Sequence, residues 1–214
     1  MSIGENLQII WNPQEIERKS MSIIDEYLQG KSFAPVEKDI IKRIIHTTGD
    51  PDILDSICIH KEASRAGIEA LRGGCNVYTD VNMLLAGVNR KKLQGYGGDA
   101  YCKIADEDIA KAAQELGITR AAAAMRLWGS QLDGSVVAIG NAPTALFEVL
   151  DLIEKGIAKP ALIVGTPVGF VGAMESKELM IEKNLVPYVT VRGTRGGSPS
   201  AVSVVNALLY YQGN

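Results

Sequence analysis

Histidine is scarce in this sequence: His46 and His60 are the only two in 214 residues. Two histidines cannot build a histidine-rich metal site, and the helical H-E-x-x-H zinc signature is missing. Cysteine is nearly as scarce. Cys58, Cys75 and Cys102 stand far apart with no C-x-x-C pair, which argues against a zinc site or a disulfide framework and suits a reducing cytoplasm. Positive charge is not in excess either, since 22 Lys and Arg face 25 Asp and Glu for a net charge of -3. A weakly acidic chain has no electrostatic footprint for a nucleic-acid backbone, so that partner is not expected. Nor is there a long hydrophobic run. The apolar stretch of residues 160–174 is too short to span a bilayer and is broken by Pro and Gly. The opening MSIGENLQIIWN lacks a basic region followed by an apolar core, so no secretory signal and a cytoplasmic location are expected.

Apolar residues make up 46% and charged residues 22%, the balance of a globular protein, and the length suits one α/β domain. The stretch from 1 to about 73 reads as helical. Asn12-Pro13-Gln14-Glu15 has the form of a helix start, with Asn12 as N-cap. Ile16, Ile23, Ile24, Tyr27 and Leu28 follow at helical spacing, and Gly30 ends the run. Ser20 lies along that apolar stripe. A second helix starts at Pro35 and runs into His46-Thr47-Thr48-Gly49-Asp50-Pro51, where Gly49 and Pro51 are stop signals. Asp50-Pro51 suits a short third helix, and residues 61–72 a further amphipathic one. From about 74 to 214, strands alternate with helices. Strands are expected at 76–79, 100–104, 135–139, 161–164 and 187–191, and helices at 81–86, 107–116, 120–132, 144–155, 173–183 and 199–211. This alternation predicts a mostly parallel sheet of about five strands with both faces covered.

In such sheets ligands bind beyond the carboxyl ends of the strands. Three glycine-containing loops fall there: GNAPT from Gly140, GTPVGFVG from Gly165 and RGTRGGS from Arg192. Glycine permits close backbone approach, and free N–H groups at a helix start favour anions. Two arginines among three glycines in the third loop suit a ligand carrying several carboxylates, or else form a solvated turn. There is no Walker-type loop, no G-x-G-x-x-G at the first βα turn and no G-x-S-x-G elbow. On position alone, His46 reads either as a helix-end histidine bonding the last carbonyls or as a proton donor favoured by the negative end of the helix dipole. Ser20 either bonds back to its own helix or meets a ligand lying along it. Arg120, expected in the first turn of its helix, is a cation where the dipole disfavours one.

RKS around Ser20, RIIHTTGDP around His46, AGVNRKKL around Arg90, TRAAAAMRLW, GSVVAIGNAPTALFEVL, VGTPVGFVGAMESKE and TVRGTRGGS together resemble the precorrin-8X methylmutase family, across about residues 14–209. The resemblance implies a three-layer flavodoxin-like fold with an extra helical N-terminal region, in a homodimer whose active site lies near the subunit interface. It implies an isomerase of cobalamin biosynthesis that moves a methyl group from C11 to C12 within precorrin-8 or its cobalt form. No cofactor is expected, because the methyl group is already on the substrate and any cobalt arrives inside the macrocycle. The family's catalytic histidine falls on His46 and its substrate-contacting serine on Ser20. Arg120, Arg90, Asn141, Thr144 and Arg192 fall on further substrate-binding positions. A corrinoid carrier without catalysis is the competing reading.

Overall fold

The computed structural model describes residues 9–212. The first helix, α1 (Pro13–Tyr27), begins as expected, with the Asn12 side chain accepting from the Glu15 N–H at 3.0 Å. Helix α2 (Pro35–Thr48) buries Val36, Ile40, Ile41, Ile44 and Ile45, and a left-handed Gly49 closes it. The Asp50-Pro51 helix start is a short 3-10 turn, Pro51–Ser56, with Asp50 capping it through Asp52 N–H.

The sheet has six strands rather than five. Strands β2 (Val77–Thr79), β3 (Ala100–Tyr101), β4 (Val136–Ile139), β5 (Leu162–Gly165) and β6 (Tyr188–Val191) are parallel, and β1 (Ile57–Ile59) pairs antiparallel with β6 at one edge. The spatial order is β1-β6-β5-β4-β2-β3. Three residues are too few to show a period in the sequence, so the identity of β1 comes from its pairing with β6. β3 stops at Tyr101, short of the expected residue 104, and pairs with β2 at two positions only, Ala100 with Val77 and Tyr101 with Tyr78.

Both faces of the sheet are covered, which explains the unbroken apolar strands. Along β4, Val136 and Ala138 face one core while Val137 and Ile139 face the other. The first core is closed by α1, α2, α3 (Ala63–Arg72), α4 (Asn82–Gly87) and α10 (Ser198–Tyr210), with α10 packed chiefly on α2. The second is closed by α7 (Arg120–Trp128), α8 (Pro143–Glu154) and α9 (Ala173–Lys183), with α6 (Glu107–Leu116) packed outside α7. A five-residue helix, α5 (Arg90–Gln94), was not expected. Its RKKLQ sequence buries one side chain, Leu93, and so carries no helical stripe. No helix among the described residues is long and apolar enough to cross a membrane.

Candidate active site

His46 lies in the last turn of α2, as its stop signals predict. It does not bond the last carbonyls. The Thr48 hydroxyl donates to Ile44 O and Ile45 O, and Gly49 N–H donates to Ile45 O. The imidazole is exposed, and its Nδ1 lies 2.8 Å from Ser20 Oγ on α1. Ser20 is half-buried and points across to α2. Ile23, Ile24, Tyr27, Ile45, Gly49 and Pro51 complete a cleft of about 260 Å³ around the pair. Because Nδ1 is committed to Ser20, proton exchange with a ligand runs through Nε2. If Ser20 Oγ accepts from Nδ1–H, that bond serves both the imidazolium and the neutral ring left after Nε2 releases its proton. The serine hydrogen then remains available to a ligand.

Strand pairing locates the cleft in the fold. Ile57 opens β1 opposite Val191, the last residue of β6, and Arg192 N–H donates to Ser56 O at 2.7 Å. The segment after α2 therefore reaches the sheet at the carboxyl end of β6. Asp50 is tied there by Arg195 of the third glycine loop, Nη1 to Oδ2 at 2.6 Å. That loop is also stitched to the second one: Gly197 N–H donates to Thr166 O at 2.7 Å and Gly169 N–H to Thr194 O at 3.1 Å.

The expected substrate residues divide into three places. Asn141, Thr144 and Arg120 are exposed at the carboxyl edge on the α7–α8 side. Thr144 Oγ1 lies 2.7 Å from the Thr119 hydroxyl, which joins the starts of α7 and α8 beside a groove of about 620 Å³. Arg192 stands at the end of β6 with its guanidinium 3.4 Å from Glu178. Arg90 lies at the other edge. It forms a two-pronged ion pair with Asp99, at 2.8 and 2.9 Å, and Asp99 sits at the amino ends of β2 and β3. One chain therefore gathers five of the expected residues with His46 along the carboxyl edge, and leaves Arg90 away from it.

The expectation that free N–H groups of the GNAPT loop receive an anion is corrected. Those of Gly140, Asn141 and Ala142 donate to the Asp80 carboxylate at 3.2, 2.8 and 2.7 Å. Sequence reading passed over Asp80, whose one signal is an acid placed directly after a buried strand. It also passed over Lys177 of α9, a fully buried lysine whose Nζ donates to Arg195 O at 2.8 Å and so supports the third loop. Burial pushes the Lys177 ammonium down to about 8. Between pH 8 and 10.5 the unfolded chain then holds a proton that the folded chain lacks, so this residue makes stability rise with pH across that window. Comparing melting midpoints of the wild type and Lys177→Met isolates it: the difference should shift in favour of the wild type over that interval and be flat below it.

No group of three or more potential metal ligands occurs among the described residues. The fold and this edge define an α/β protein of the open-parallel-sheet class, with its candidate site at the strand carboxyl ends. The precorrin-8X methylmutase family profile matches residues 15–211, and the chain belongs to that family. It is 44% identical over 203 residues to the cobalt-precorrin-8 methylmutase of Leptospira interrogans, covering 92% of each chain. It is 42% identical over 206 residues to the precorrin-8X methylmutase of Pseudomonas aeruginosa, covering 94% of this chain and 97% of that one. The crystal structure of the precorrin-8X methylmutase of Thermus thermophilus superposes with a TM-score of 0.82 at 32% identity, over 91% of this chain and 95% of the other. The family is one of isomerases acting in cobalamin biosynthesis.

Proposed function

We propose that this chain isomerises precorrin-8 by moving the methyl group on C11 to C12, with His46 as proton donor. The Ser20–His46 pair at the carboxyl edge carries the reading. It sets one imidazole nitrogen toward an apolar cleft, and membership of a methylmutase family supplies the reaction. The bonds rearrange within one molecule, so orientation and one proton account for most of the catalytic demand. Ser20 holds Nδ1 and offers its hydroxyl hydrogen to the substrate. Arg120, Asn141, Thr144 and Arg192 line the edge where the acid arms of the macrocycle would lie. Arg90 is paired with Asp99 away from this edge of the same chain. No protein-bound cofactor takes part in this scheme, and any cobalt is part of the substrate.

A cleft of about 260 Å³ is below the size of sites for drug-sized ligands, so it takes only part of a macrocycle. A second copy would complete it. Ile16, Ile23 and Tyr27 are exposed on α1 beside the cleft, and Phe170 and Val171 are about nine-tenths exposed on the second glycine loop. Apolar side chains so placed favour a homodimer with the site near its interface. The order of the parallel strands, second-first-third-fourth-fifth in chain sequence, supports the flavodoxin-like description. An assignment to the cytoplasm accords with three cysteines left free of disulfides.

Absorption spectroscopy tests the reading with purified enzyme and either metal-free or cobalt-containing precorrin-8, anaerobically and with no methyl donor added. Conversion of at least one substrate is expected. Stoichiometric binding of both without any spectral change would point to a carrier.

A further inference from the structure

Asp80 follows β2 at its carboxyl end, between β2 and β4, where the strand order reverses. In open parallel sheets this switch point is where a ligand anion meets backbone N–H groups at a helix start. Here the cradle is filled from within. The Asp80 side chain is fully buried and takes all three N–H groups of Gly140, Asn141 and Ala142. Ala142, the N-cap of α8, provides no side-chain cap, and the carboxylate instead holds the N–H of this N-cap residue and of the two residues before it, from a neighbouring strand. Burial leaves the Asp80 carboxyl raised above the usual carboxylate range, and the three N–H bonds offset only part of that. The loop is pinned from its other side as well. A Cβ on Gly140 would stand 2.5 Å from Ser198 Cα, so α10 abuts the loop directly. Pressed between Asp80 and α10, the loop has one available course, and it leaves the Asn141 and Thr144 side chains exposed at the edge.

We infer that Asp80 is a positioning residue for the isomerisation: its carboxylate occupies the switch-point cradle and thereby sets Asn141 and Thr144 against the substrate. The cradle is closed to phosphate and to substrate acid arms alike, so at this loop a substrate anion is met by side chains. The inference rests on the reading above, in which those two side chains hold the substrate. Asp80 itself does not touch it.

The test is a double-mutant cycle on KM and kcat for precorrin-8, using Asp80→Asn and Asn141→Ala. An amide in place of the carboxylate sets an N–H against the loop N–H groups, so Asp80→Asn should raise KM about tenfold and hold kcat within about threefold. Asn141→Ala should raise KM by itself, and the double variant should be no worse than Asp80→Asn. A purely structural residue would lower the active fraction and leave KM alone. If Asn141→Ala raises KM while Asp80→Asn does not, or if the two effects multiply, Asp80 does not act through the loop and the inference fails alone. If Asn141→Ala and Thr144→Ala both leave KM unchanged, the substrate-binding reading of the loop fails and takes the inference with it. Should Asp80→Asn not fold, Asp80→Glu keeps the charge and displaces it by one methylene. A raised KM with unchanged kcat supports the inference there, and a wild-type KM overturns it.

Discussion

Replacing His46 with Ala should lower kcat for precorrin-8 by about two to four orders of magnitude and leave substrate binding nearly intact, because a positioned proton donor is worth that much in the rate. The ring is exposed and closes no helix carbonyl, since Thr48 and Gly49 take those, so its loss should not cost the fold. Ser20→Ala should be milder. It frees Nδ1 and loosens the ring, with a loss of about tenfold in kcat, the value of one hydrogen bond that fixes a reacting group. Stopped-flow absorption at saturating substrate measures both. Equal losses for the two variants would make the pair act as one unit, with the serine as necessary as the imidazole. A His46→Ala enzyme at the wild-type rate would remove the acid role.

Gly196→Ala should destabilise the protein by about 2–6 kcal/mol, since both backbone strain and overpacking act there. The residue has φ +142°, and an added Cβ would stand 2.3 Å from Thr166 O. That oxygen belongs to the backbone and is already bonded to Gly197 N–H, so the collision cannot be relieved by turning a side chain. The strain falls on the contact that stitches the second and third glycine loops together. Chemical denaturation should show a lower midpoint with an unchanged slope. Activity should fall with it, because the same loop carries Arg192, and Arg195 with its tie to Asp50. Wild-type stability in this variant would mean that the two loops are not held together as described.

The parts of the fold that could be read from the sequence were those with a local cause. The Asn12 cap, the Gly49 stop and the Ala173–Lys183 helix follow from capping, glycine and periodicity, and the structure has them where expected. What stayed hidden depends on contacts between distant segments. β1 is a strand only because β6 lies beside it, and β3 is held to two residues by its pairing with β2. The site divides in the same way. His46 and Ser20 each looked explicable as ordinary helix residues, and nothing local reveals that a 2.8 Å bond joins them across 26 positions. Arg90 belongs to a segment resembling the family, yet its partner Asp99 draws it to the far edge of the sheet. Asp80 and Lys177 escaped notice because each is defined by what it meets: three N–H groups sixty residues on for one, a loop carbonyl for the other. Free N–H groups in the loop before α8 were a sound expectation from glycine and a helix start, and one aspartate at the end of a neighbouring strand takes three of them.

The central claim is that this chain moves a methyl group within its substrate, and isotopic labelling of that group tests it directly. Precorrin-8 carrying carbon-13 in the C11 methyl would be incubated with purified enzyme and no added methyl donor, and the product examined by carbon NMR. The account predicts that the labelled methyl appears on C12 with full retention of label, and that His46→Ala leaves it on C11. Label remaining on C11 in the wild-type reaction, with the substrate bound and released unchanged, would contradict it.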